Sequence, residues 1–161
     1  MLHIYYGRNS NESEIRNMQL THFTDLGIRV LMYLTHSRSE PIKISEIAEQ
    51  FQAPRNHLIK VVNKLAKLEW VLTTRGRNGG LQLAIAPESI TLATIIKKLE
   101  GCHQLIDCES AHCNLRIGCQ VKTFLDIGLK AFYEEMDRYT LADAISGSTG
   151  KQIIKMHINY A

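Results

Sequence analysis

Three cysteines stand close together in the run DCESAHCNLRIGC, at positions Cys108, Cys113 and Cys119. Thiolate sulfur is a soft ligand that suits iron–sulfur clusters, zinc and copper(I). The gaps of four and five residues place successive cysteines on different sides of any helix. We therefore expect a loop that wraps a metal centre rather than a helix that presents one face to it.

Spacing alone leaves the identity of that centre open. Besides an iron–sulfur cluster, it allows a structural zinc ion, because the Cys108–Cys113 gap fits finger-like spacing, or metal-free thiols that switch by forming disulfides. With three thiolates, a fourth iron would need another ligand or stay open to a small diatomic molecule. Cys102, His103 and His112 are the neighbouring residues that could supply a ligand.

Composition indicates what kind of chain carries this loop. The length of 161 residues leaves room for one domain with its own core, or for a small domain plus an association element. Hydrophobic residues make up 45% and charged residues 22%, which is ordinary for a globular protein. No apolar run approaches the roughly 20 residues of a membrane span, and the opening MLHIYY is too short for a signal peptide. We therefore predict a cytoplasmic protein, where thiols stay reduced, with no membrane partner. No nucleotide fingerprint or nucleophile–base pair is visible, so no enzyme is expected.

Positive charge is concentrated in one part of the chain. The net charge is +3, but residues 54–83 alone hold six basic residues and one acidic residue. The segment 84–161 is close to neutral, with eight basic and nine acidic residues. A local excess of this kind favours a phosphate backbone as partner.

The elements around this basic segment predict a helix-turn-helix. Apolar residues recur at helical spacing from Thr21 to Leu34, and Ser45 is predicted to cap a short helix, EIAEQF. The turn QAPR leads into a helix over about 55–68, with one apolar stripe and one basic face. Two short helices joined by a tight turn, the second basic, are typical of DNA readers.

A β-hairpin is predicted directly after the second of these helices. The β-prone runs 70–74 and 81–85 flank Arg-Gly-Arg-Asn-Gly-Gly, a strong turn signal. A hairpin at this point is a wing, whose glycines would allow close approach to a groove while Arg75 and Arg77 supply charge. The predicted fold class is mainly α with a small β wing: a winged helix-turn-helix domain plus a long dimerisation helix.

The second half of the chain is predicted to join two subunits. Thr91 caps a helix, the cysteine loop spans 101–119, and a long helix then runs to about Tyr139, followed by LADAI capped by Thr140. The heptad-like seam of the long helix predicts a homodimer interface, which consists of Val121, Leu125, Gly128, Phe132, Met136 and Tyr139. The predicted divisions are 1–17 (flexible extension), 18–100 (DNA-binding domain), 101–119 (cluster loop), 120–145 (dimerisation and short helices) and 146–161 (a tail without interpretation).

Five segments together make the chain recognisable. They are MQLTHFTDLGIRVLMYL, PRNHLIKVVNKL, RGRNGG, CESAHCNLRIGC and RYTLADAI, and they extend from Met18 to about Ala144. The sequence resembles the NsrR group of nitric-oxide-sensing iron–sulfur repressors, within the winged-helix family that also contains IscR. The cysteine gaps and PRNH resemble the NsrR group rather than IscR, whose cysteine spacing differs and whose loop adds a histidine ligand.

This resemblance implies a [4Fe–4S] cluster held by Cys108, Cys113 and Cys119. It implies a fourth ligand from the first helix of the partner subunit, at the position of Asp25, and gives Cys102 no role. It also implies a homodimeric repressor that releases operator DNA when nitric oxide attacks the cluster. The alternative is a regulator of the same fold that senses iron–sulfur supply or redox state, or carries zinc. The residues expected at DNA are Arg55, Asn56, His57, Lys60, Lys64, Arg75, Arg77, Asn78 and Gly79.

Overall fold

The computed structural model describes residues 19–38, 40–76, 79–101, 104–109 and 113–160. Helices dominate it, with one two-stranded antiparallel sheet, so the predicted fold class is confirmed. The predicted extension 1–17 lies outside the described residues. The elements in chain order are α1 (His22–Leu34), α2 (Ile44–Gln50), α3 (Arg55–Lys67), β1 (Val71–Thr73), β2 (Leu81–Leu83), a 3-10 turn at Pro87–Ser89, α4 (Leu92–Glu100), α5 (Gln120–Met136), α6 (Leu141–Ala144) and α7 (Gly147–Tyr160).

Helix α1 lies at the centre of the hydrophobic core and packs against α3 and α4. Thr21 caps the start of α1: its hydroxyl oxygen accepts a hydrogen bond from the backbone N–H of Thr24, one of the donors in the first turn that have no partner within the helix. Val30 and Leu31 of α1 are fully buried, as is Leu65 of α3. The apolar stripes that predicted these helices are therefore the faces that form the core.

The helix-turn-helix consists of α2 and α3. The prediction that Ser45 caps α2 is wrong, because the helix starts at Ile44 with Lys43 in the capping position and no side-chain cap. Helix α3 starts directly after Pro54, which occupies its capping position, as the turn QAPR predicted.

The two strands form a short wing that is anchored to the rest of the domain. Val71 pairs with Leu83 in antiparallel register. On the other edge of β2, the Leu81 backbone N–H donates to the carbonyl oxygen of Ile42 at 2.8 Å. A Cβ atom on Gly80 would lie 2.8 Å from that same carbonyl oxygen, so glycine allows the close approach.

Helices α4 and α5 run antiparallel, with the cysteine loop joining them at one end. At the opposite end the Thr91 hydroxyl donates to the Asp137 carboxylate at 2.7 Å. The predicted caps at Thr91 and Thr140 are confirmed, the second as a full capping box with Asp143. Helix α5 ends at Met136, three residues before the predicted end, because the backbone turns there to begin α6.

The last helix, α7, occupies the segment for which the sequence predicted no element. It packs back on the end of α1 with Ile153 and His157 buried, and the His157 ring stacks on Tyr33 at 4.0 Å between centroids. Among the described helices, none has the length and apolar character needed to cross a bilayer.

Candidate nucleic-acid interface and cysteine loop

The outer face of α3 carries the predicted DNA-contacting residues. Arg55, Asn56, His57 and Lys60 are exposed, and Lys64 is half-buried. Three of the first four come from the first turn, where unpaired backbone N–H groups and the helix dipole favour a phosphate. The opposite face of α3 is buried in the core, so this amphipathic helix has one orientation.

The wing presents a smaller part of the predicted surface. Arg75 is exposed, whereas Arg77 and Asn78 lie outside the described residues. Gly79 is buried, and a Cβ atom there would overlap the Thr74 carbonyl oxygen. Its backbone N–H donates to the Gly76 carbonyl at 3.0 Å. In this arrangement Gly79 shapes the turn instead of offering surface to a groove.

The first turn of α1 lies beside the start of α3. The rings of His22 and His57 meet edge to face with centroids 6.2 Å apart. Asp25 is one turn further into α1 than Thr21, with its side chain 40% exposed and its carboxylate 3.0 Å from Nε of Arg29. The carboxylate is therefore accessible, with one cationic neighbour on its own helix.

The same end of α1 is bonded to the start of the cysteine loop. The Thr21 backbone N–H donates to the Glu100 carboxylate at 2.6 Å. Glu100 is the last residue of α4, and Gly101 then turns the chain into the loop with φ of 63°. Glycine adopts this left-handed conformation without a steric penalty, so Gly101 ends α4 and sets the direction in which the loop begins.

The three cysteines are free thiols, all half-buried, in an irregular segment. The Cys113 backbone N–H donates to the Cys108 carbonyl oxygen at 3.5 Å. Cys119 occupies the capping position of α5, and Gly118 before it has φ of 79°. The backbone thus places Cys119 at the start of α5 and joins the other two cysteines by one backbone hydrogen bond.

The donor set is suited to an iron–sulfur cluster. Thiolates are its usual ligands, and no bond between cysteines competes for the three sulfurs. Within the described ranges, no three His, Cys, Asp or Glu side chains converge as a single metal ion requires. Cys102, His103 and His112 lie outside the described residues.

Helix α5 has two different faces. The half-buried face includes Leu125, Leu129 and Met136 and turns toward α4, where Lys97 lies 4.7 Å from the centroid of the Tyr133 ring. The other face is apolar and open to solvent, and none of the 17 residues of α5 is fully buried. The exposed large apolar residues are Val121 (60%), Phe124 (64%), Ile127 (59%) and Phe132 (40%), with Tyr139 (42%) just beyond the helix.

The predicted dimer seam is therefore divided between these two faces. Val121, Gly128, Phe132 and Tyr139 are exposed, while Leu125 and Met136 are half-buried. Sequence reasoning missed Phe124 and Ile127, which are among the most exposed apolar side chains of the helix. Their three-residue spacing from Val121 was visible in the sequence and could have revealed them.

Comparison with known proteins gives one family. Residues 20–147 match the model of the Rrf2 family, described as an iron-dependent transcriptional regulator. The chain is 41% identical over 132 residues to the HTH-type transcriptional regulator NsrR of Bacillus licheniformis, a match that covers 80% of this chain and 92% of that protein.

Solved structures show the same fold at lower identity. CymR, the global cysteine regulator of B. subtilis, superposes with a TM-score of 0.66 at 23% identity, over 81% of this chain and 98% of that one. IscR of T. potens gives a TM-score of 0.63 at 24% identity, over 80% of this chain and 87% of that one.

Proposed function

Because the chain belongs to the Rrf2 family of transcriptional regulators, we propose that it is a homodimeric repressor whose hold on operator DNA depends on a [4Fe–4S] cluster sensitive to nitric oxide. The relatives that it matches are regulators of transcription, not enzymes. The observation that carries the proposal is the position of the three free, half-buried cysteines, on a loop that leaves α4 beside the start of α1.

Cys108, Cys113 and Cys119 would hold the cluster, with Asp25 of the partner as fourth ligand. When bound, the cluster supplies iron that nitric oxide can attack, most easily where the ligand is a hard carboxylate oxygen rather than a thiolate. Asp25 is suited to this role because its carboxylate is 40% exposed. Arg29, 3.0 Å from it, would stabilise the carboxylate whenever the partner's loop withdraws.

DNA would be held by α3 in a major groove and by the wing beside it. Arg55, Asn56, His57 and Lys60 form the exposed surface of α3, and Arg75 extends the positive charge onto the hairpin. Lysine and arginine neutralise phosphates, whereas the asparagine and histidine are able to read base edges. The hydrophobic face of α3 fixes this orientation, so the contacts need no rearrangement of the core.

A chain of contacts links the loop to α3. The Glu100 carboxylate at the loop's entry accepts the Thr21 N–H, and His22 next to it meets His57 at the start of α3. A change in the loop would thus reach the DNA-binding surface through the first turn of α1. The same turn carries Asp25, so ligation by the partner would act on it as well.

The exposed face of α5 is the proposed dimer interface. A 17-residue helix with no fully buried side chain needs a second apolar surface, since each square ångström of apolar area removed from water contributes about 25 cal/mol. A second copy of α5 supplies such a surface, and twofold symmetry also supplies the paired DNA-reading helices that operators require.

The test uses full-length protein purified without oxygen. Cluster-loaded and metal-free preparations are compared on a duplex selected by the loaded protein from random sequences, before and after addition of a nitric oxide donor. We expect a brown protein that binds tightly when loaded and weakly after either treatment. Equal affinity of loaded and metal-free protein, or a colourless protein with stoichiometric zinc, would overturn the proposal.

A further inference from the structure

Helix α7 packs on the DNA-binding domain through one buried apolar and one buried polar side chain. The family model ends at residue 147, so this helix lies beyond it except for Gly147. Of its 14 residues only Ile153 and His157 are buried, and His157 is 3% exposed. A histidine so deeply buried has its polar atoms satisfied by the protein, and its partners are well defined.

The first partner of His157 is the end of α1. Its Nε2 lies 3.0 Å from the Tyr33 carbonyl oxygen, in the last turn of α1, where carbonyls lack an intrahelical donor. Because a carbonyl only accepts, Nε2 carries the hydrogen and donates it. In the neutral ring Nδ1 is then an acceptor, and it faces Nη1 of Arg38 at 3.4 Å.

Through Arg38 and Tyr33, the hydrogen bonds extend from His157 to Glu46 of α2. Nη2 of Arg38 donates to Oε2 of Glu46 at 2.5 Å, and the Tyr33 hydroxyl donates to Oε1 at 2.7 Å. Glu46 is 1% exposed, with the Arg38 guanidinium as its ion-pair partner, the Tyr33 hydroxyl as a hydrogen-bond donor and Nδ1 of His157 at 3.9 Å. Within the described residues every buried side-chain nitrogen and oxygen has a hydrogen-bond partner. Loss of His157 would remove two of these contacts, the one to the Tyr33 carbonyl oxygen and the one to Nη1 of Arg38.

We propose that His157 is a positioning residue for DNA binding, which anchors α7 across the corner between α1 and α2 and so fixes the orientation of the helix-turn-helix. Helix α2 packs directly on α3, so a shift of α2 would move the DNA-reading face. Hydrogen bonds are directional, and a satisfied buried network specifies one arrangement where apolar packing alone would tolerate several.

Protonation of His157 provides a readout that general loss of packing would not. Burial is the largest influence on the ring and lowers its pKa, with His36 and Arg38 acting in the same direction and the Tyr33 carbonyl and Glu46 opposing. The groups that face it are Tyr33 from α1, His36 and Arg38 from the α1–α2 connection and Glu46 from α2, with Tyr160 of α7 beside Tyr33.

Acid would weaken the anchor for a geometric reason. A proton on Nδ1 would face the Arg38 guanidinium at 3.4 Å, which then loses its acceptor and meets a like charge. The Glu46 carboxylate, 3.9 Å from Nδ1, attracts that proton, but burial and the neighbouring cation outweigh it and the pKa of the ring is lowered on balance. Because the pKa in the fold is lower than in the free chain, the anchored state is fully favoured above about pH 6.5 and loses stability as the pH falls below it.

The experiment compares His157→Ala and His157→Gln with Asn159→Ala, an exposed position on the same helix. Full-length, cluster-loaded proteins are titrated at pH 7.5 and pH 6.0 on a duplex that the natural chain selects from random sequences. Hydrogen exchange of 147–160 and of the α1–α2 corner is measured on the same samples.

At pH 7.5 we expect His157→Ala to bind about tenfold more weakly than the control (about 1.4 kcal/mol) and to show faster exchange at the α1–α2 corner. The His157→Gln variant should recover most of that affinity, because its amide nitrogen has the same reach as Nε2 and is able to donate to the Tyr33 carbonyl. It should lose less affinity at pH 6.0 than the natural chain does, because an amide does not titrate. Equal pH dependence of the natural chain and His157→Gln would overturn the proposal, even if His157→Ala failed to fold. So would affinity of His157→Ala equal to that of Asn159→Ala. If neither the natural chain nor any variant bound DNA, the proposed function would fail. In that case an unchanged rate of hydrogen exchange at the α1–α2 corner in His157→Ala would still overturn the proposal that His157 anchors α7.

Discussion

A Cβ atom on Gly27 of α1 would lie 2.5 Å from Cδ1 of Leu99 on α4. The absence of a side chain at Gly27 therefore sets how closely these two helices approach. Gly27 is two residues after Asp25, and Leu99 is one residue before Glu100. The contact between them therefore aligns the start of α1 with the entry to the cysteine loop.

Substitution of Gly27 by alanine should separate α1 from α4. Leu99 is buried, so displacing its Cδ1 methyl or the helix that carries it should cost about 1–3 kcal/mol, more than the roughly 1 kcal/mol that alanine gains in a helix. We expect a net loss of about 1 kcal/mol in the free energy of unfolding by urea. The double variant with Leu99→Ala should show coupling, since the smaller side chain removes the contact; additive effects would contradict it.

Loss of one cluster ligand should abolish the cluster. Cys113→Ala removes one of the three thiolates and should yield a colourless protein with little bound iron after anaerobic purification. Cys102→Ala is the control, because the family resemblance gives Cys102 no role, and it should keep its visible absorption and its iron. Full iron content in Cys113→Ala would remove that cysteine from the site.

Substitution of Asp25 should alter the cluster without removing it. In Asp25→Ala three thiolates remain, so we expect colour to persist while the visible and circular dichroism spectra and the rate of reaction with nitric oxide change. Glu49→Ala, an exposed carboxylate on α2, is the control and should leave all three unchanged. A spectrum of Asp25→Ala identical to that of the natural chain would exclude Asp25 as a ligand.

Phosphate binding by α3 should appear in the salt dependence of DNA affinity. Lys60→Ala should lower affinity at all sequences and reduce the slope of log K against log salt by about 0.9 for each phosphate that the protein no longer neutralises. Lys98→Ala, exposed on α4, carries the same charge change away from the proposed interface and should leave the slope intact. Equal slopes for the two variants would place the DNA-binding surface elsewhere.

A charge on the exposed face of α5 should separate the subunits. Phe124 is 64% exposed in one chain, so Phe124→Glu should not disturb the fold but would bury a carboxylate in the proposed interface. We expect sedimentation to show a dimer for the natural chain and a monomer for this variant. Leu72→Glu on β1, where Leu72 is 58% exposed, should remain a dimer. A monomeric natural chain, or a dimeric Phe124→Glu, would exclude this face.

Local sequence signals were sufficient for most elements of this fold. The apolar spacing of α1 and α3, the Arg-Gly-Arg-Asn-Gly-Gly turn and the caps at Thr91 and Thr140 involve residues within one or two turns of each other, so composition and period reveal them. The cysteine spacing likewise predicted the irregular segment that carries the three thiols, while the soft-metal ligand set stays a prediction from side-chain chemistry. Ser45 gave a wrong prediction, because α2 starts one residue earlier, at Ile44, with Lys43 in the capping position and no side chain that caps the helix.

Only the tertiary structure decided how these elements meet. The ring of His157 bonds to Tyr33, 124 residues earlier in the chain, and no local pattern in the polar sequence of α7 indicates that contact. The same holds for the bond between Thr21 and Glu100 and for the division of α5 into a face toward α4 and a face toward solvent. Sequence periodicity shows that a helix has an apolar side, but which neighbour covers that side depends on packing among distant segments.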